Sequence, residues 1–187
     1  MFQTYRMDAP QPAITSQPDS KPAKSRPPSP GDALVNPVAA DVARGIQRLF
    51  ARNDIWCIGE MALKNGRRAD LMGVDAKGLV VIVEIKVSRA DLLGDNKWPD
   101  YLEYCDRFYW GVPPGLDRAP LDSEAYMPEK CGVIVADAYD GEIVRAASLD
   151  PLAAARRKAQ VERLARIAMR RHTALLDPDC TIAGMEI

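Results

Sequence analysis

The sequence predicts an α/β domain, a mixed β-sheet flanked by helices, on three observations. Leu79-Val80-Val81-Ile82-Val83 is a continuous apolar run of strand length, the pattern of a strand buried on both faces. Two strand-like segments precede it, at about 55–63 and 68–75, joined by the turn-forming runs Lys64-Asn65-Gly66 and Asp75-Ala76-Lys77-Gly78. Segments of helical spacing stand before, between and after the strands, which places helices against the sheet.

In chain order, residues 1–36 are rich in Pro, Ser, Ala and Gln and carry few large apolar side chains. Such a segment cannot bury enough surface to offset its ordering entropy, so it reads as a disordered tail. Val38, Val42, Ile46, Leu49 and Phe50 recur at helical spacing and predict a helix over 38–52. The meander follows, its third strand reaching 79–87. Ser88 reads as a helix N-cap with Asp91 three positions on, opening a helix toward 105 with a break near Trp98-Pro99. Strands at 107–112 and 132–137 come next, then a turn at Tyr139-Asp140-Gly141 and a short strand at 142–147. Pro151 opens the last helix, with Val161, Leu164, Ala165, Ala168 and Leu175 as its apolar stripe and most arginines on the other side. The domain thus spans 37–176, with a C-terminal tail at 177–187.

The chain of 187 residues is 47% hydrophobic and 27% charged, ordinary for a globular domain able to bury a full core. No segment approaches the roughly 18 apolar residues of a membrane span, and no basic region followed by an apolar run marks a secretory signal. A cytoplasmic protein is expected. Cys57, Cys105, Cys131 and Cys180 form no CxxC pair and His172 is the sole histidine, which argues against structural zinc. Net charge is −1, yet Arg156 to Arg171 hold seven basic residues and one acidic, Glu162. That basic segment is either a contact for a nucleic-acid backbone or the solvated face of an amphipathic helix.

The chemistry concentrates at the end of the apolar strand. Glu84 and Lys86 in Glu84-Ile85-Lys86 project from one face, about 7 Å apart along the strand. Opposite charges beside a core strand are costly unless paired or metal-bound; the alternative is a Glu84–Lys86 surface pair at an exposed strand end. Asp70 lies fourteen positions upstream, on the strand expected to pair with this one. Hard carboxylate oxygens suit Mg²⁺, with Mn²⁺ as a substitute. Asp70, Glu84 and the Ile85 carbonyl are the candidate metal ligands, and Lys86 would orient water or stabilise developing charge. Glu60 is a further candidate carboxylate, or an exposed strand residue. Arg67 and Arg68 are candidates for phosphate contact, or solvent-facing turn charges. Lys97 and Tyr101, four apart, are expected to share a helix face beside the site and to reach a scissile phosphate, or Tyr101 merely packs. Asp91, Asp95, Asp106 and Asp137 are candidates to support it through hydrogen bonds, the last two alternatively to cap adjacent turns. Trp98 reads as core or as a base-stacking platform.

Residues about 38–175 resemble the MmcB family, bacterial proteins described as endonucleases of DNA repair in the PD-(D/E)XK superfamily. The resemblance rests on Gly66-Arg67-Arg68-Ala69-Asp70-Leu71, Val83-Glu84-Ile85-Lys86-Val87-Ser88-Arg89-Ala90-Asp91, Gly94-Asp95-Asn96-Lys97-Trp98-Pro99-Asp100-Tyr101, Tyr104-Cys105-Asp106-Arg107-Phe108-Tyr109 and Val135-Ala136-Asp137-Ala138. It implies a restriction-endonuclease-like fold, with Asp70, Glu84 and Lys86 at the superfamily motif. Lys97 with Tyr101 is similar to the Q-x-x-x-Y motif of RecB-like nucleases, with Lys in place of Gln. The expectation is a Mg²⁺-dependent DNA endonuclease of repair, alone, as a homodimer or with a repair-protein partner. The alternative is a non-catalytic module of the same fold that binds DNA or such a partner.

Overall fold

The structure, a computed structural model, describes residues 37–180. The expected tail at 1–36 and the last residues of the C-terminal tail, 181–187, lie outside them. The order is α1 (Pro37–Arg52), β1 (Ile55–Ala62), β2 (Arg68–Asp75), β3 (Val80–Ile85), α2 (Arg89–Gly94), a 3-10 helix (Trp98–Tyr104), β4 (Arg107–Val112), β5 (Gly132–Ala136), β6 (Gly141–Arg145) and α3 (Ala154–Leu176). The six strands form one sheet in sequence order. β1, β2 and β3 make the antiparallel meander, β4 and β5 add in parallel, and β6 returns antiparallel. This is the mixed α/β sheet with flanking helices that the pattern predicts, arranged as a restriction-endonuclease-like core.

Both faces of the sheet are covered, which explains the uninterrupted apolar run: all six residues of β3 are buried. On one face Val81, Val83 and Ile85 meet Val42, Ile46, Leu49 and Phe50 of α1. α1 approaches closely because of Gly45, where a Cβ would collide with the backbone carbonyls of Asp137 and Asp140. On the other face Val80 and Ile82 join Met72, Phe108 and Trp110 under Trp98, Tyr101, Leu121, Tyr126, Leu152 and Leu164. Trp98 stacks on Tyr126 with ring centroids 6.4 Å apart and meets Trp110 edge-on at 5.2 Å. It is therefore a core aromatic, with 3% of its surface exposed, and not a base-stacking platform.

Two helices differ from the expectation, and β3 ends at Ile85, which leaves Lys86 just beyond it. The helix after Ser88 ends at Gly94, and a 3-10 helix begins at Trp98 with Pro99 in its first turn. Pro99 has no amide hydrogen for an α-helical bond, so the break at Trp98-Pro99 becomes a change of helix type. The last helix starts at Ala154, three residues beyond Pro151. There the Leu152 amide hydrogen goes instead to Asp106 Oδ1 at 2.8 Å.

Asp106 has no exposed surface. Its carboxylate accepts from Val80 N–H at 2.7 Å, from Leu152 N–H, and from Arg157 of α3, whose Nη2 lies at 2.5 Å. Asp106 does not support the Glu84 site as expected: it bonds the first residue of β3, while Glu84 is the fifth, about 13 Å away along the strand. It ties β3, the 150–152 segment and α3 together. Asp106→Ala would leave these donors unpaired in the interior, and we expect a loss of roughly 3–5 kcal/mol in denaturant unfolding.

Candidate metal centre

Glu84 and Asp70 meet because the meander register carries them to one end of the sheet. Leu71 pairs with Val83, so Asp70, one step further, faces the Glu84–Ile85 end of β3. Asp70 shares the facing of Met72, and Glu84 that of Val80 and Ile82, under the 3-10 helix. Asp70 Oδ2 accepts from Ile85 N–H at 2.7 Å. Glu84 Oε1 accepts from Lys86 Nζ at 3.2 Å, while Glu84 Oε2 is buried with no hydrogen-bond partner. The Lys86 amide continues the parallel ladder, donating to Gly111 O at 2.9 Å, and so fixes its side chain on the Glu84 side.

Lys86 is 5% exposed and ringed by carboxylates. Besides Glu84, its ammonium lies 2.7 Å from Asp95 Oδ2 and 3.8 Å from Asp91 Oδ1. Both acids come from the segment opened by Ser88, whose hydroxyl accepts from Asp91 N–H as the cap requires. Burial draws the Lys86 pKa down, but Glu84, Asp95 and Asp91 outweigh it, and the net shift is upward. Burial raises Asp95, yet the Lys86 bond and the amides of Lys97 and Trp98 hold it below the usual carboxylate range. Asp70 is raised, chiefly by burial, with the Ile85 amide and Lys86 opposing. Burial and the charge of Asp70 push Glu84 up to about 8 against the pull of Lys86. Tyr101 is raised by burial and then by Glu84, Asp70 and Asp95; its hydroxyl faces these carboxylates and donates to Arg68 O at 3.0 Å.

The remaining candidates divide. Glu60 is exposed and ion-paired with Arg68, near enough for its charge to raise Asp70. Its backbone is left-handed, with φ of 53°, a strained conformation for a residue with a Cβ. Arg171 of α3 donates to the carbonyls of Gly59 and Glu60 at 2.5 and 3.0 Å, which helps to hold that conformation. Arg67 pairs with Asp100 at 2.8 Å. Lys97 and Tyr101 do not share a face, because a 3-10 helix has three residues per turn and puts positions four apart about 120° from each other. Tyr101 is buried and Lys97 stays exposed. Asp137 Oδ1 accepts from the amides of Tyr139 and Asp140, capping the β5–β6 turn, the second of its two readings.

Periodicity alone misses how much of α3 reaches the sheet. Arg157, Arg163 and Arg171 bond Asp106, Ala62 O and the Gly59 and Glu60 carbonyls, so they are neither a solvated face nor free cations. No sequence signal announces bonds across 101 to 112 residues. The hint available was an outer strand, β1, whose outward carbonyls need donors.

The donor set fits a hard divalent cation: two carboxylates, one with an orphaned buried oxygen, next to the Ile85 backbone. Among the described residues no group of three or more His, Cys, Asp and Glu side chains could hold an ion, so a cation here would draw on the Ile85 carbonyl, water and substrate oxygens as well.

Residues 27–179 match the family model described as DNA repair protein MmcB-like. The chain belongs to the MmcB-like family. A solved structure described as SPO1766, a protein of unknown function from Silicibacter pomeroyi, superposes on this MmcB-like chain with a TM-score of 0.73 and 38% identity, over 81% of this chain and 100% of that one. No curated protein matches. Among the described residues of the MmcB-like chain, no helix is long and apolar enough to cross a membrane.

In the folded metal-free protein Glu84 keeps its proton to about pH 8, against about 4.5 for an ordinary glutamate. Between those values the folded state binds more protons than the unfolded state, so stability falls as pH rises. Asp70, also raised, acts in the same direction. Lys86, raised above 10.5, and Asp95, lowered below 3.8, titrate outside this window. The expected outcome is a Tm that declines from pH 5 to pH 8 in EDTA, with a flatter profile in Glu84→Gln, as read by thermal denaturation.

Proposed function

We propose that this protein is a Mg²⁺-dependent DNA endonuclease of repair, with the PD-(D/E)XK motif formed by Asp70, Glu84 and Lys86. The observation that carries the reading is the buried, unpartnered Glu84 Oε2 beside Asp70 and within reach of a buried lysine. An orphaned carboxylate oxygen in the interior is expensive, and a cation is the partner that would relieve it. The family's description as DNA repair proteins supports DNA as the substrate.

In this reading Asp70, Glu84 and the Ile85 carbonyl would hold the ion. When bound, the ion supplies a water of lowered pKa and offsets charge on the phosphate. Asp70 is oriented by the Ile85 amide, which donates to its Oδ2. Lys86 orients the attacking water and stabilises charge that develops on phosphate oxygens. Asp95 holds the lysine charged and in place. Arg67 and Arg68 can turn to the DNA backbone, because the ion pairs that hold them are exposed and worth only about 0–1 kcal/mol each. Water is kept from the far side of the site by Tyr101 and the aromatic core beneath it.

A non-catalytic DNA- or partner-binding module is the second reading, favoured by one observation: Lys86 already has two close carboxylate partners and little exposed surface. Two measurements separate the readings. Mg²⁺ should raise Tm at pH 8 more than at pH 5, since binding competes with the Glu84 proton, and Glu84→Gln should abolish the rise. Purified protein should cleave nicked, branched or single-stranded DNA with Mg²⁺ or Mn²⁺. Asp70→Asn, Glu84→Gln and Lys86→Met should each lower the rate by on the order of a hundredfold or more. Cleavage unaffected by these changes removes the assigned roles, and DNA binding without cleavage on any substrate favours the module.

A further inference from the structure

Away from the Asp70–Glu84 pair, α3 and the β1–β2 turn enclose a groove of about 630 Å³, lined by Lys64, Arg163, Arg166, Arg170, Ala159 and Ile167, with Glu162. Four cations face one carboxylate there, and that carboxylate is itself paired with Lys158 along the helix. The cations are not equally engaged. Arg163 spends one nitrogen on Ala62 O at 2.7 Å. The side chains of Lys64, Arg166 and Arg170 have no hydrogen-bond or ion-pair partner among the described residues.

Two of the guanidinium nitrogens are more informative. Arg163 Nε and Arg170 Nε are buried and unpaired. A cationic donor shut away from water without an acceptor carries the full desolvation cost of that group, and an acceptor entering the groove would give both donors the partner they lack. The acceptor must be anionic, because the groove concentrates like charge. It must also be extended: Arg163, Arg166 and Arg170 follow at three- and four-residue steps on one helix face, so their Cα atoms span about 10 Å of the axis. Ala159 and Ile167 give the groove an apolar floor against which sugar rings can pack. The turn that supplies Lys64 leads within six residues through Arg67 and Arg68 to Asp70 on β2. A chain lying in the groove is thereby led toward the strand that holds the candidate metal ligands.

We infer that this groove is a track for the phosphodiester backbone of a DNA strand, read through charge and shape without base contacts. Arg166 and Arg170 are the principal phosphate contacts, Lys64 guides the strand at the turn, and Arg163 fastens α3 to β1 while offering Nε. The inference rests on DNA being the substrate, and it extends that reading to a surface outside the metal centre.

The test is fluorescence anisotropy of a labelled DNA strand and its duplex against the full chain in EDTA, over a salt series, so that cleavage plays no part. The double variant Arg166→Gln, Arg170→Gln should raise Kd at least about tenfold and lower the slope of log affinity against log salt by about two for duplex. Arg166→Lys with Arg170→Lys, which keeps the charge, should recover most of the slope. Circular dichroism and Tm of the variants establish that they fold, and Lys64→Gln, in an exposed turn, gives a milder second probe. An unchanged Kd and slope in a folded double variant overturns the inference, as does an absence of DNA binding by the parent chain. An acidic peptide of equal charge that displaces DNA as well as DNA itself also overturns it. The binding measurement and the cleavage measurement are independent, because binding is read in EDTA. Groove-dependent binding with no metal-dependent cleavage would therefore retire the nuclease reading alone, and cleavage with groove-independent binding would retire the groove alone.

Discussion

Much of this structure hangs on one buried carboxylate. Asp106 accepts from the first amide of β3, from the segment before α3 and from the Arg157 guanidinium. Its own amide and carbonyl bond Val80 and Asp150. The parallel crossover from β3 to β4 and the course of the last helix are settled at this point, and with them the face that α3 covers. Glu84, four residues along the same strand, shows the opposite electrostatic outcome. Asp106 is drawn below the usual carboxylate range because its donors outweigh burial, while Glu84 is driven up because its one donor does not. Two buried acids, Glu84 on β3 and Asp106 just before β4, thus differ in role through the number of donors that the fold aims at them.

The neighbourhood of Glu84 is a charge cluster without a full set of partners. Lys86 serves three carboxylates at once, and Asp95 is the closest of them. The lysine is held by acids from a separate segment, α2 and the turn after it, so its position depends on the Ser88 cap as well as on β3. Coupling of this kind keeps an ammonium charged within a surface that would otherwise discharge it.

Most of the fold was legible because it follows from local pattern. The apolar run of β3, the turns of the meander, the α1 stripe and the Ser88 cap are all signals within a few residues of one another. Asp70, Glu84 and Lys86 were legible as a set for the same reason, since strand alternation and a short hairpin put them together. What was not legible depends on distant geometry. The change to a 3-10 helix separated Lys97 from Tyr101, although their spacing in sequence would suit an α-helix. Asp106 has the look of a site residue from its place at a strand edge, but Arg157, 51 residues on, claims it. The arginines of α3 look like a solvent face until β1 is placed beside them.

That placement matters beyond the site. β1 is an outermost strand, and a strand with unpaired carbonyls is a template on which another chain can add. Arg163 and Arg171 occupy the carbonyls of Ala62, Gly59 and Glu60 with side chains that cannot themselves extend a ladder. The last helix acts as a selvedge along the sheet, stopping the weave where β1 ends it. The helix that closes one face of the sheet thus also finishes its border, so covering the core and guarding the edge fall to one element.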